Sequence, residues 1–321
     1  MLRKYVPQPS KREYITFILL LLEILLFGMI ADNFLSLDNI VRVIQNSAEI
    51  ALVSIGMTMV MLLGGIDLSV GSTMGIVAIV AGKMIQGNSN NFVVLIVAMG
   101  LGIILGTING LIITKFKIPD IIVTLATMNI WRAMIFMMLG GKWITGLNSV
   151  FSKLTTGKIL GIPVLLLVII AFYALFYYIT MYRPFGRHLY ATGSNIQSAE
   201  LLGINANKIK IISYSLLGLM VGLASILYIS RMGSVEMTIG SELSLQCIAA
   251  VTLGGTSVKG KGGKGSLIGT LAGVFFIAFL RNGIVILGVP SLLENAFIGM
   301  LIIGSILFDF FLDKKKVAKA A

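Results

Sequence analysis

The sequence predicts an all-α membrane protein of about ten transmembrane helices. Two observations carry this. Of 321 residues, 57% are hydrophobic and only 12% are charged, about half the charged share of soluble domains. The apolar residues also gather into runs close to the roughly 20 residues that one bilayer crossing needs. A soluble fold of this size still exposes about a quarter of its unfolded surface and needs far more charge to cover it. A mean hydropathy of +0.99 points the same way. A soluble enzyme, a disulfide scaffold and a disordered chain are thereby excluded. One membrane domain over 1–321 is expected, with a head at 1–13, a long loop at 182–210 and a basic tail at 313–321.

Ten apolar stretches run at about 14–30, 41–63, 70–87, 92–114, 121–140, 162–181, 211–230, 243–258, 266–286 and 292–312. The first follows Arg3, Lys4, Lys11 and Arg12, as a signal peptide would. Its apolar run is long, however, and no small-residue cleavage site follows Ile30, so it reads as a retained helix.

Charge sets the orientation. Ten spans put both termini on one side, together with 17 of the 25 basic residues. By the positive-inside rule that side is the cytoplasm. The net charge of +12 therefore reports topology and no nucleic-acid partner. The single cysteine, Cys247, and the single histidine, His188, leave neither an intrachain disulfide nor a Cys- or His-built metal site.

Glycines repeat every four residues at Gly102, Gly106 and Gly110 and again at Gly265, Gly269 and Gly273, and Gly218 pairs with Gly222. Such faces let helices approach closely in lipid. Leu63-Gly64-Gly65 and Leu253-Gly254-Gly255 each end an apolar run and lead into a Gly/Ser-rich stretch. Paired glycine-interrupted segments can mark a substrate path, though a match this short also arises by chance.

Polar residues in or near the spans are the functional candidates. Glu23 lies midway along the first span, as a functional carboxylate or as a neutral, bonded one. Asp67 and Ser69, within Gly64–Ser72, either cap a broken helix or contact substrate. With Asn109, Asn129, Gln246 and Asn282 they form the candidate translocation path. Neutral amides beside Trp131 and Trp143 suit a neutral polyol better than an ion, while ordinary interhelical hydrogen bonding is the alternative for each residue. In loop 182–210, Ser194 or Asn195 can cap a short helix through Leu202 that Gly203 ends. That helix either docks on a partner or belongs to a plain solvated loop. Gly255–Lys261 nearly fits a phosphate-binding loop, but Gly262 supplies no hydroxyl for Mg²⁺, so no nucleotide is expected on this chain.

Three motifs then resemble the permeases of bacterial ABC sugar importers, in the ribose, xylose and autoinducer-2 branch. They are Gly64–Ser72 (GGIDLSVGS), Gly186–Gly203 followed by Lys208–Gly222, and 249–257 (AAVTLGGTS) followed by Gly263–Gly273 (GKGSLIGTLAG). The likeness spans about 39–312. It implies a fold similar to the vitamin B12-importer (type II) class. It also implies a second permease subunit, a separate ATPase that binds ATP and Mg²⁺, an extracytoplasmic sugar-binding protein, and a bacterial inner-membrane location. It places coupling to the ATPase on Gly193, Asn195, Ala199, Glu200, Leu202, Gly203 and Ile204. Gly140–Gly146 resembles the autoinducer-2 and rhamnose branches, making Lys142 and Trp143 candidates for docking the binding protein. The competing expectations are a gradient-driven sugar transporter using Glu23 and Asp67, and a membrane scaffold without transport.

Overall fold

In lipid every backbone N–H and C=O needs an internal partner, so apolar runs of this length fold as helices. The computed structural model describes residues 11–147, 151, 155–256 and 262–290, with 293, 296, 299, 300, 303 and 304 beyond them. Among these, eleven helices follow in order. They are α1 (Lys11–Ile30), α2 (Leu37–Leu62), α3 (Val70–Gln86), α4 (Asn91–Phe116), α5 (Asp120–Leu139), α6 (Val164–Tyr182), α7 (Pro184–Ser194), α8 (Ile196–Leu201), α9 (Ala206–Met232), α10 (Leu243–Leu253) and α11 (Leu267–Ile286). The side chains of Ser36, Asn90, Asn195, Asn205 and Ser266 cap α2, α4, α8, α9 and α11.

Seven helices are long and apolar enough to cross a membrane: α1, α2, α4, α5, α6, α9 and α11. These correspond to seven of the ten expected spans. Spans three and eight are the shorter apolar helices α3 and α10. With 11 residues, α10 ends at Leu253 rather than at 258 and covers about 16 Å, roughly half the hydrocarbon thickness. Most of 292–312, the head to residue 10, loop 257–261 and the tail 313–321 lie outside the described residues.

The core forms around α2, which is buried almost continuously from Val43 to Leu62 and packs against α6, α9, α10 and α11. Outer helices bury one face and turn apolar side chains outward, as Ile103, Ile104 and Leu111 of α4 do. The glycine ridges lie where helices meet backbone to backbone. A Cβ on Gly102 would sit 2.2 Å from the Gly218 carbonyl oxygen, and one on Gly106 would sit 2.3 Å from that of Tyr214. The second ridge seats α11 on α10: a Cβ on Gly269 or Gly273 would lie 2.0 Å from the carbonyl oxygen of Gly254 or Ala250.

The internal echo has a structural counterpart, shifted by one residue. After α2, Gly64 (φ +80°) donates to Met61 and Gly65 to Val60. After α10, Gly255 (φ +95°) donates to Thr252 and Thr256 to Val251. Both ends are Schellman closures on a left-handed glycine, and they pair Gly64 with Gly255 rather than with Gly254.

Two short antiparallel pairs were not expected from the sequence. One joins β1 (Ile144–Thr145) to β4 (Ser234–Val235), and the other joins β2 (Lys158–Ile159) to β3 (Ile162–Pro163).

Candidate functional site

The break between α2 and α3 is a buried polar centre. Asp67 Oδ1 accepts from Ser69 N–H at 2.7 Å and from Ser69 Oγ–H at 2.6 Å. Asn109 of α4 donates to Ser69 Oγ at 2.8 Å and to Asp67 Oδ2 at 3.4 Å. Ser69 occupies the N-cap position of α3, but its hydroxyl makes no cap bond; Asp67 and Asn109 engage it instead. The expected Asp67–Ser69 cap is thus a turn around Asp67. Two of the exposed carbonyls of this break are satisfied from neighbouring elements, Ile66 by Thr124 and Leu68 by Ser244. Asp67 is 2% exposed and Asn109 1%. Within the chain they brace the break between α2 and α3.

Asp120, at the start of α5, closes this centre at its α7–α8 end. It accepts from Lys210 Nζ at 2.8 Å and from Tyr214 Oη at 2.8 Å. Gly65 passes so near that a Cβ there would lie 2.2 Å from Asp120 Oδ2.

At the same end, α8 forms as the sequence suggests. Asn195 is the cap: its Oδ1 accepts from Ser198 N–H at 2.9 Å. Ser194 instead donates to the Tyr190 carbonyl. Gly203 (φ +79°) and Ile204 close the helix by donating to Glu200 and Ala199. Ala199 is buried, whereas Glu200 is exposed and Leu201 and Leu202 are 89% and 79% exposed. The helix before it, α7, is anchored to the rest of the bundle. A Cβ on Gly193 would lie 1.9 Å from the Leu62 carbonyl oxygen, which also accepts from Gly263 N–H at 2.8 Å. Tyr190 of α7 donates to Gly265 O at 2.9 Å, and burial pushes its phenol above the ordinary tyrosine range, with Glu13 and Tyr177 adding to the shift. The end of α2, the end of α7 and the segment leading into α11 therefore form one junction, from which the chain continues into α8.

At the opposite end, α2, α9 and α11 part around a cavity of about 310 Å³. Its lining includes Asn46, Ser47, Arg231, Arg281 and Asn282 beside Val43, Ile50 and Val285. Arg231 Nε and Nη2 both lie 3.0 Å from Glu49 Oε1, and Nη1 donates to Asn46 Oδ1 at 3.0 Å. Arg281 lies 3.9 Å from Glu242, which accepts from Gln246 at 3.1 Å. Asn282 and Asn39 exchange amide hydrogen bonds of 2.7 and 2.9 Å.

The six residues expected along the path fall in three places. Asp67, Ser69 and Asn109 form the buried centre, while Asn282 lines the cavity and Gln246 reaches it through Glu242 and Arg281. Asn129 is exposed on α5 and bonds only its own helix, at Leu125 O. Arg231, Glu49 and Asn46 went unrecognised, because their pairing joins positions about 180 residues apart. Lys142 and Trp143 are exposed beside β1. The Glu23 carboxyl oxygens are buried with no hydrogen-bond partner among the described residues.

Residues 39–306 match the family of branched-chain amino acid transport system permease components. The chain belongs to this permease family. The limits agree closely with the 39–312 read from the motifs. The permease is 36% identical to the ribose import permease protein of Haemophilus influenzae over 95% of each chain. It is 34% identical to that of Escherichia coli K12 over 96% of each. With the autoinducer 2 import system permease protein of Salmonella typhi it shares 32% identity over 94% of this chain and 86% of that one. No solved structure matches it. The permease is a multi-pass helical membrane protein, as its composition requires.

Proposed function

We propose that this permease is the membrane subunit of an ATP-driven ABC importer for a neutral, monosaccharide-sized solute such as ribose, rhamnose or autoinducer 2. The carrying observation is the junction that leads into α8. A capped helix presents Leu201 and Leu202 outward, and Gly193 of the helix before it, α7, sits against the end of α2 without an intervening side chain. A push on α8 reaches α7, whose Gly193 meets the end of α2 and whose Tyr190 is bonded to Gly265 just before α11. Helices α2 and α11 wall the cavity at the opposite end. This is the rigid-body linkage that alternating access needs.

In this reading the α7–α8 end and both termini face the cytoplasm of a bacterial inner membrane, and the cavity faces outward. A separate ATPase docks on α8 and binds ATP and Mg²⁺. A binding protein delivers solute near Lys142 and Trp143, and a second permease subunit completes the path in a fold of the vitamin B12-importer type. This chain performs no covalent chemistry. The relatives' names and the polar cavity walls favour a polyhydroxy solute over the aliphatic amino acids in the family's description.

Purification from native membranes in mild detergent tests the reading. A P-loop ATPase should accompany the permease at about one copy each, and Glu200→Lys or Gly203→Arg should abolish uptake while the protein still inserts. A chain that emerges alone, with uptake lost on Glu23→Gln, would favour a gradient-driven transporter. That alternative has less support, because the Asp67 oxygens are already held by Ser69 and Asn109.

A further inference from the structure

We propose that the cavity between α2, α9 and α11 is a sugar subsite of the permease itself, in which Asn46, Arg231, Arg281 and Asn282 contact the hydroxyls of a neutral monosaccharide. The inference rests on the importer reading and deepens it. It gives this chain its own discrimination among solutes, beyond that of any binding protein.

Size and lining come first. A volume of about 310 Å³ is at the small end for small-molecule sites, which suits one sugar ring. The walls alternate apolar and polar groups. Val43, Ile50 and Val285 offer surface to the C–H face of a ring, and the arginines and asparagines offer hydrogen bonds to its rim.

Charge decides the class. Both guanidiniums have carboxylates: Arg231 is fixed on Glu49 at 3.0 Å and Arg281 stands 3.9 Å from Glu242. Two cations and two anions leave the set formally neutral. An anionic solute finds the Arg231 charge already offset by buried Glu49 at 3.0 Å, and a cationic solute meets the guanidiniums head-on. A neutral polyol suffers neither penalty.

The donors are held in place in advance. A guanidinium carries five N–H groups. Glu49 and Asn46 occupy three of those on Arg231, leaving two with no partner among the described residues. Asn46 is exposed, and its amide N–H groups likewise have no partner there. Asn282 is fixed by the exchange with Asn39. Side chains already ordered lose little entropy when they bind.

The test uses the purified full-length chain with Cys247→Ser, which removes the native thiol, and Ala278→Cys, which places a thiol in the cavity wall. Modification by a neutral methanethiosulfonate reagent is timed with and without solute. A bound solute slows labelling by 1 + [L]/Kd, about threefold at twice Kd. D-Ribose should protect saturably. Ribose 5-phosphate, glycerol and leucine at equal concentration should leave the rate unchanged. Adding Asn46→Ala, an exposed position that should not disturb folding, should abolish the protection. If Ala278→Cys does not yield folded protein, Val285→Cys at the rim replaces it. Absence of ribose protection, equal protection by the phosphate or by leucine, or a thiol that never labels would each overturn the subsite. Failure of an ATPase to copurify would overturn the importer reading and leave a protection result standing, so the two failures are distinguishable.

Discussion

Gly193 of α7 and Leu62 at the end of α2 touch through their backbones: a Cβ on Gly193 would stand 1.9 Å from the Leu62 carbonyl oxygen. The same oxygen accepts the Gly263 N–H, so it has no freedom to withdraw. Gly193→Ala must displace α7, at an overpacking cost of about 1–3 kcal/mol. The expected outcome is a lower unfolding temperature in detergent and a larger loss of uptake than of ATP hydrolysis in the assembled transporter. Gly203→Ala provides the contrast. The space there is open and only the left-handed φ of +79° objects, at about 1–2 kcal/mol, so Gly203→Asn should recover much of the loss.

Asn195 caps α8 through Ser198 N–H. Removing such a cap costs about 1 kcal/mol, and six residues cannot sustain a helix without help. Asn195→Ala should weaken ATPase association and Asn195→Asp should preserve it, as judged by the amount of ATPase retained on the purified permease.

Tyr190 donates to Gly265 O across the junction, and burial raises its phenol pKa. An elevated folded-state pKa gives stability that is fully present below the unfolded value, about 10, and is lost as pH rises through the folded one. The stability advantage of the native chain over Tyr190→Phe should therefore be flat up to about pH 10 and shrink only above it. Melting curves of the two proteins from pH 7 to about 11 check this.

Asp120 is held by Lys210 and Tyr214, both at 2.8 Å. Tyr214→Phe removes a bond to a charged group and should cost about 1.5–3 kcal/mol. Lys210→Met, whose side chain is partly exposed, should cost nearer 1 kcal/mol. Gly65→Ala should be damaging alone, because its Cβ would meet Asp120 Oδ2 at 2.2 Å. It should be milder in an Asp120→Ala background, giving a coupling above about 0.5 kcal/mol in a double-mutant cycle.

What the sequence revealed was local. Apolar runs gave the helices, four-residue glycine spacing gave the contact ridges, and Asn195 with Gly203 gave α8. The break at Gly64 was legible because glycine, aspartate and serine interrupt a long apolar stretch. Long-range pairing was not legible. Arg231 looks like any basic residue at a span end until Glu49 is brought to it, and Asp120 carries no local hint of Tyr214. Spans three and eight were legible as apolar helices, α3 and α10, but their short lengths were not, because composition does not report where the backbone stops. Amide side chains are no specific mark of a path, since in lipid the same groups also brace a helix break through its side chains, as Asn109 does on Ser69 and Asp67, or bond their own helix, as Asn129 does.

The ridge that joins α4 to α9 has a practical consequence. Carbonyls of one helix lie against glycine Cα atoms of the other, so neither can slide or roll without steric collision. Whatever opens and closes in this molecule, that pair travels as a single strut. Two spin labels, one on each helix, should give the same separation with and without nucleotide bound to the transporter. Such a pair is an internal ruler against which displacements of α2 and α11 can be measured.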